Sequence, residues 1–201
     1  LPYPGAASNT LTAPAFARGD TIQCFVTPSD GVEEGDEVAS NVVSIENTAP
    51  QITSVTISPD EVQTNDIISS DHETYDIDGD DVTVNYQWRV NGVVVLEGAT
   101  VSSLNGAEYF DKNDEVQLDI TPSDDADVGA TEASNVTLVI NTAPGDPVVD
   151  VEPATPQPED DLFCAILVDG PDVDDDDITY TYRWYKDGVE TSHVGATISA
   201  S

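Results

Sequence analysis

The chain has 201 residues, with 40 Asp and Glu against 5 Lys and Arg, a net charge of -35 and no methionine. Such acidity repels nucleic-acid phosphates and anionic membrane surfaces and favours cations as partners, and no apolar run approaches the roughly 20 residues that span a bilayer as a helix. Apolar residues make up 38%, which suits thin cores rather than large ones. The length fits one or two domains of ordinary size. With neither a start methionine nor a signal peptide, the sequence reads as a processed product or an excerpt of a longer protein.

The first predicted strand lies in 21–31, TIQCFVTPSDG, where Cys24 sits in an apolar setting that reads as buried. The next segment, SNVVSIENTAP at 40–50, recurs as SNVTLVINTAP at 134–144. The same displacement carries TPSD at Thr27 onto TPSD at Thr121, Phe16 onto Phe110 and Gln23 onto Gln117. Likewise DGDDVTVNYQWRVNG from Asp78 recurs as DDDDITYTYRWYKDG from Asp174. These matches define a unit of about 95 residues. Residues 1–46 are then the C-terminal half of one repeat, 47–140 a complete repeat, and 141–201 the N-terminal half of a third.

Within the complete repeat the period is two, the mark of half-buried strands. Val82, Val84, Tyr86, Trp88 and Val90 share one face, opposite Thr83, Asn85, Gln87 and Arg89. Val116, Leu118 and Ile120 alternate with Gln117 and Asp119, and Val136, Leu138 and Ile140 with Thr137 and Val139. Further strands are predicted at 52–58, 66–70 and 93–96. About seven short strands separated by Asp, Gly, Asn and Pro turns predict an all-β fold of two packed sheets, with a closed barrel as the alternative. The predicted core includes Tyr86, Trp88 and Leu118, and in the third repeat Tyr182 and Trp184.

NTAP, DIDGDDVTVNYQW, GDTIQCFVTPSDG and SNVVSIENTAP, in this order and spacing, resemble the tandem immunoglobulin-like repeats of large prokaryotic extracellular surface proteins, a group related to the polycystic-kidney-disease (PKD) domain. WRVNG and WYKDG stand where the PKD pattern has W-x-F-G-D-G, so the likeness is to an immunoglobulin-like sandwich in general. It covers nearly the whole chain and implies spacing, adhesion or filament building outside the cell, usually without catalysis. It also implies a use for the cysteines, since an early-strand cysteine, a tryptophan on the next strand and a cysteine on the penultimate strand form one cluster in such sandwiches. Overlaying the units sets Cys24 on Leu118 and Cys164 on Ser69, so Ser69 and Leu118 are expected to face each other. The disulfide partners of Cys24 and Cys164 are then expected outside this segment, unless the two are unrelated buried thiols. Either the chain belongs to a longer array or separate molecules complete each other's half-repeats head to tail.

The loop before the tryptophan strand holds Asp76, Asp78, Asp80 and Asp81, and its counterpart holds Asp172, Asp174 and Asp176 among five aspartates. Carboxylates at alternate positions of a turn converge on a hard cation, and calcium takes six to eight oxygens. The glycine position and Gln87 do not fit an EF-hand, so further ligands are sought in Asp71, Glu73 or a neighbouring loop. The competing reading is a solvated turn that keeps sheet edges apart. A second acidic loop, Asp124, Asp125 and Asp127, lies at a hairpin tip expected near the inter-repeat joint.

No phosphate loop, zinc spacing, basic patch or nucleophile motif is present, and His72 and His193 are expected at the surface. The resulting expectation is a non-enzymatic segment of an extracellular fibre or stalk, its partners being copies of itself or neighbouring repeats. The alternative is an adhesin or carbohydrate-binding spacer with cell-surface or glycan ligands. Tyr75, Tyr109, Tyr180 and Tyr185 are its candidate platforms, and Val139 and Phe163 are candidate outward apolar positions for lateral assembly.

Overall fold

The structure, a computed structural model, describes residues 9–200, and its regular elements are almost entirely β. They fall into three groups. The first is the antiparallel pair β1 (Thr21–Val26) and β2 (Val38–Ser44). The second runs through β3 (Gln51–Ser58), β4 (Val62–Gln63), β5 (Ile67–Tyr75), β6 (Thr83–Val90), β7 (Val93–Gly98) and β8 (Ser103–Asn105). It continues with the single helical turn α1 (Gly106–Tyr109), β9 (Glu115–Ser123), β10 (Glu132–Ala133) and β11 (Thr137–Ile140). The third comprises β12 (Val148–Glu152), β13 (Leu162–Val168), β14 (Tyr185–Lys186), β15 (Val189–Glu190) and β16 (Thr197–Ile198). No sheet shares strands between groups.

In the middle group one sheet has the order β3-β5-β8 and the other β4-β11-β9-β6-β7, with β10 also on β9. β6 is central because its ladder with β9 runs unbroken from Thr83↔Ser123 to Val90↔Val116. On its other side Asn91 and Gly92 turn the chain into β7 with φ of 50° and 76°, the left-handed pair that a tight hairpin requires. The alternation of β6 and β9 sends Tyr86, Trp88, Val90, Val116, Leu118 and Ile120 inward, against Ile57, Ile68 and Leu104 of the other sheet. Trp88 and Leu118 are direct cross-strand partners and both are fully buried. The indole Nε1–H donates to the Val101 carbonyl at 2.8 Å, so the buried ring leaves no unpaired donor.

The last strand of this group has the opposite facing from the one expected. Thr137 and Val139 are buried, while Val136, Leu138 and Ile140 are exposed. In VTLVI both alternations are apolar, so periodicity cannot choose between them. The register decides: Val139 pairs in parallel with Val62 on β4, and both are fully buried. Val139 is therefore core, whereas Phe163 is 45% exposed. His72, expected at the surface, instead sets its ring edge-on to Tyr86 at 5.6 Å.

Strand registers also correct the overlay at Ser69. Ile57 pairs with Ser70 and Val151 with Cys164; Ser70 N–H bonds Ser102 O and Cys164 N–H bonds Ala196 O. Cys164 is thus the counterpart of Ser70. Ser69 is exposed, and it is Ser70 whose Oγ is buried. For Cys24 the overlay agrees with the local bonding: Cys24 N–H donates to Ser40 Oγ at 2.9 Å and Leu118 N–H to Ser134 Oγ at 3.0 Å. Yet Cys24 is exposed, not buried.

The third group resembles the middle one in sequence more than in structure. Residues 178–184 form no strand, although they correspond to most of β6. Tyr182 and Trp184 are half-buried and line a cavity of about 260 Å³ with Val149, Val151, Cys164 and Ile166. No described strand covers them as β9 covers Trp88.

Replacing Trp88 by Ala is expected to destabilise the middle group by about 3–5 kcal/mol. Leu138→Ala, at an exposed position, is expected to change stability by less than about 0.5 kcal/mol. Urea titration followed by circular dichroism separates this facing from the reverse, in which Leu138→Ala would carry a core-sized cost.

Candidate functional site

The acidic loops lie at the two joints between groups and are built alike. Asp76 Oδ1 accepts N–H bonds from Asp78 at 2.8 Å and Asp80 at 3.2 Å; Asp172 Oδ1 accepts from Asp174 at 2.8 Å and Asp176 at 3.4 Å. Each loop turns through a left-handed residue, Gly79 (φ 81°) in one and Asp175 (φ 58°) in the other, aspartate being one of the few side chains that tolerate this region. The curl brings one oxygen from each of Asp76, Asp78 and Asp80 within 4.8 Å of one another, and likewise Asp172, Asp174 and Asp176. Asp81 is exposed and outside the first triad, and Asp71 and Glu73 are exposed on β5.

Both triads are tied to the preceding linker and the preceding group. Thr48 N–H donates to Asp78 Oδ2 at 2.8 Å, and Thr142 N–H to Asp174 Oδ2 at 2.5 Å. Arg18 pairs with Asp80, and Lys112 with Asp176. The repeat overlay that sets Phe16 on Phe110 also sets Arg18 on Lys112. Two of the chain's five basic residues therefore occupy one equivalent place.

At the first joint the second acidic loop joins in. Asn47 Nδ2 donates to Asp124 at 3.0 Å and Asp127 at 2.8 Å, and Arg18 Nη2 to Asp125 at 3.1 Å. This hairpin can reach the linker because residue 129 is glycine. A Cβ there would stand 1.9 Å from the carbonyl oxygen of Pro50, itself fully buried.

The electrostatics follow this geometry. The Asn47 amide and the N–H groups of Asp127 and Ala126 hold the Asp124 carboxyl below its usual range. The nearby Thr64 hydroxyl, the Thr142 N–H and the Lys112 charge do the same for Asp174. The Asp125 carboxylate raises Arg18, and Asp176 raises Lys112.

The donor set suits a hard cation. All side-chain donors are oxygens, and Asp76 Oδ2 and Asn47 Oδ1 are buried without a hydrogen-bond partner, while Asp174 Oδ1, also without one, has the Thr64 and Thr142 hydroxyls near its carboxylate. A carboxylate oxygen in that state is costly unless a positive charge reaches it. The one-dimensional pattern marked Asn47, Thr48 and Thr142 only as members of the repeated NTAP, and it gave Arg18 and Lys112 no mark as partners of the loops.

The tyrosines considered as sugar platforms do not gather. Tyr75 and Tyr185 are exposed on different groups, Tyr109 packs against the core, and the Tyr180 hydroxyl is bonded to Gly170 N–H and Asp169. No described helix is long and apolar enough to cross a membrane. Neither a protein-family model nor a curated protein sequence matches the chain.

Two outcomes test the joints. Stability contributed by Asp124 and Asp174, whose folded pKa values lie below the ordinary 3.8, is present above that value and lost as pH falls from it through the folded pKa. Carbon-13 titration of the carboxyls should place both midpoints below 3.8; a midpoint at or above it would contradict the bonding described. Gly129→Ala should cost more than about 1 kcal/mol and shift the amide resonances of 47–50, whereas a silent substitution would mean the hairpin does not press on the linker.

Proposed function

We propose that the chain is a non-enzymatic structural segment of an extracellular fibre, stalk or filament built from tandem immunoglobulin-like domains of about 95 residues, stiffened at its joints by calcium. The observation that carries this reading is the repetition of one joint. A basic side chain, a linker N–H and three convergent aspartates occur at both inter-group positions. A surface loop that only needed solvation would have no cause to repeat its contacts with the preceding group.

The physical role is mechanical. Each linker is short and its backbone is bonded to the next unit's loop, so bending breaks hydrogen bonds rather than merely turning free dihedrals. A single Arg or Lys leaves most of each triad's negative charge uncompensated, and a divalent cation would neutralise more of it. Asp76, Asp78 and Asp80 at the first joint, and Asp172, Asp174 and Asp176 at the second, would hold it. Without the ion, mutual repulsion within a chain of net charge -35 favours an extended string, screened beyond about 8 Å at physiological salt.

Calcium at a hundredfold excess over its Kd should stabilise the folded joints by ~2.7 kcal/mol. Thermal unfolding of the chain in calcium against chelator reads this directly, and small-angle scattering should show a narrower spread of lengths with calcium. Paired Asp76→Asn and Asp172→Asn substitutions should abolish both responses. An identical melting curve in calcium and chelator would leave the solvated-turn reading.

A further inference from the structure

We infer that Asn135 is a glycosylation site: its side-chain amide accepts a saccharide from a lipid-phosphate-linked donor while β11 is still unpaired, and the finished fold holds the sugar outward from the sheet. This rests on the reading of the chain as an extracellular segment, since such transfer acts on exported chains, and not on calcium.

The residues supply the acceptor pattern. Asn135-Val136-Thr137 is an asparagine followed two places on by threonine with no proline between, the form that saccharide transfer to asparagine requires. No other asparagine of the chain has serine or threonine at that distance. So short a pattern is common by chance, but the fold treats its two ends in a way that chance does not require.

The asparagine end is turned out. Ala133 pairs with Asp119 and Thr137 with Val116, so four steps along one side face three along β9, the mark of a β-bulge. Ser134 points inward, 5% exposed, its Oγ accepting from Leu118 N–H. Strict alternation from there would send Val136 in and Thr137 out. The extra residue instead leaves both Asn135 and Val136 exposed and returns Thr137 to the interior. A sugar on Asn135 Nδ2 therefore meets solvent, rooted at the head of an outward apolar row formed by Val136, Leu138 and Ile140.

The threonine end is what packing does not account for. The same bulge recurs in the first group, where Phe25 pairs with Ala39 and Ile22 with Val43. There Asn41 stands at the place of Asn135, and Val43 at that of Thr137. The strand thus accepts valine, which has the shape of threonine without its hydroxyl. Burying a hydroxyl costs free energy unless it is well bonded, and Asn135 Nδ2 meets Thr137 Oγ1 only at 3.4 Å, long for a hydrogen bond. Recognition of that hydroxyl by the transferring enzyme gives the threonine a purpose that the core does not.

The burial also fixes the order of events. Once β11 pairs with β9, Thr137 is covered, so the enzyme reads it on the extended chain before that pairing forms. Transfer forms a bond from Nδ2 to the anomeric carbon and breaks the bond from that carbon to the donor's phosphate oxygen, which keeps the electron pair. The amide nitrogen loses one proton and retains one hydrogen, which still serves Thr137 Oγ1 after folding.

The test uses the chain recovered from the outer surface and from the cytoplasm of the cells that make it. After cleavage at glutamates, the fragment beginning at Ala133 is sequenced by mass spectrometry. Asn135 should carry a saccharide mass that fragments to sugar ions. Asn135→Gln and Thr137→Val should each lose it, the latter while still folding, and Thr137→Ser should keep it. Surface chains bare at Asn135, or a sugar that persists on Asn135 in Thr137→Val, would overturn the inference. Bare surface chains leave the extracellular reading standing, whereas bare chains confined to the cytoplasm would overturn both.

Discussion

The unbroken ladder between β6 and β9 is the contact on which the middle group depends. It sets Trp88 against Leu118 and Tyr86 against Ile120, so one pairing closes the sheet and buries the largest side chain of the core. The opposite sheet has little else to pack on: Ile57, Ile68 and Leu104 all meet this cluster. Among the described residues no strand lies alongside 178–184, that segment forms no strand itself, and Trp184 is half-buried. A strand is stabilised by its cross-strand partners more than by its own propensity.

Charge shapes the molecule at a second level. With 40 acidic side chains and 5 basic ones, general pairing is impossible, and the placement of the few cations is correspondingly informative. Arg89 spans β6 and β9 on the outer face of the central ladder, and Arg18 and Lys112 sit at equivalent joints. Elsewhere aspartates are satisfied by backbone N–H groups, as at Asp30, Asp76, Asp124 and Asp172. This arrangement orders acidic turns without basic partners, and it leaves the outer oxygens of the triads available to a cation.

Much of the candidate site was legible in advance and part of it was not. Repetition located the acidic loops, because Asp76, Asp78 and Asp80 recur as Asp172, Asp174 and Asp176. It did not reveal that Arg18 and Lys112 reach them, since a basic residue many positions away carries no local mark of its target. The overlay missed the inward position by one residue at Ser69, because two residues are inserted between the Cys164 strand and the acidic loop, and an intermediate offset falls on the opposite face of an alternating strand. Strand β11 was misread for a related reason, being apolar on both faces.

The amino-acid sequence by itself determined the β character, the repeating unit, the alternation of β6 and β9, and the residues that curl each acidic loop, because all of these arise from neighbours a few positions apart or from direct self-similarity. Only the tertiary structure decided that Val139 and not Leu138 enters the core, that Ser70 and not Ser69 corresponds to Cys164, and that Trp88 is sealed by Leu118 of β9. Each of those outcomes turns on which strand lies alongside, and pairing between distant segments is set by the packing of whole sheets rather than by the pattern within any one strand.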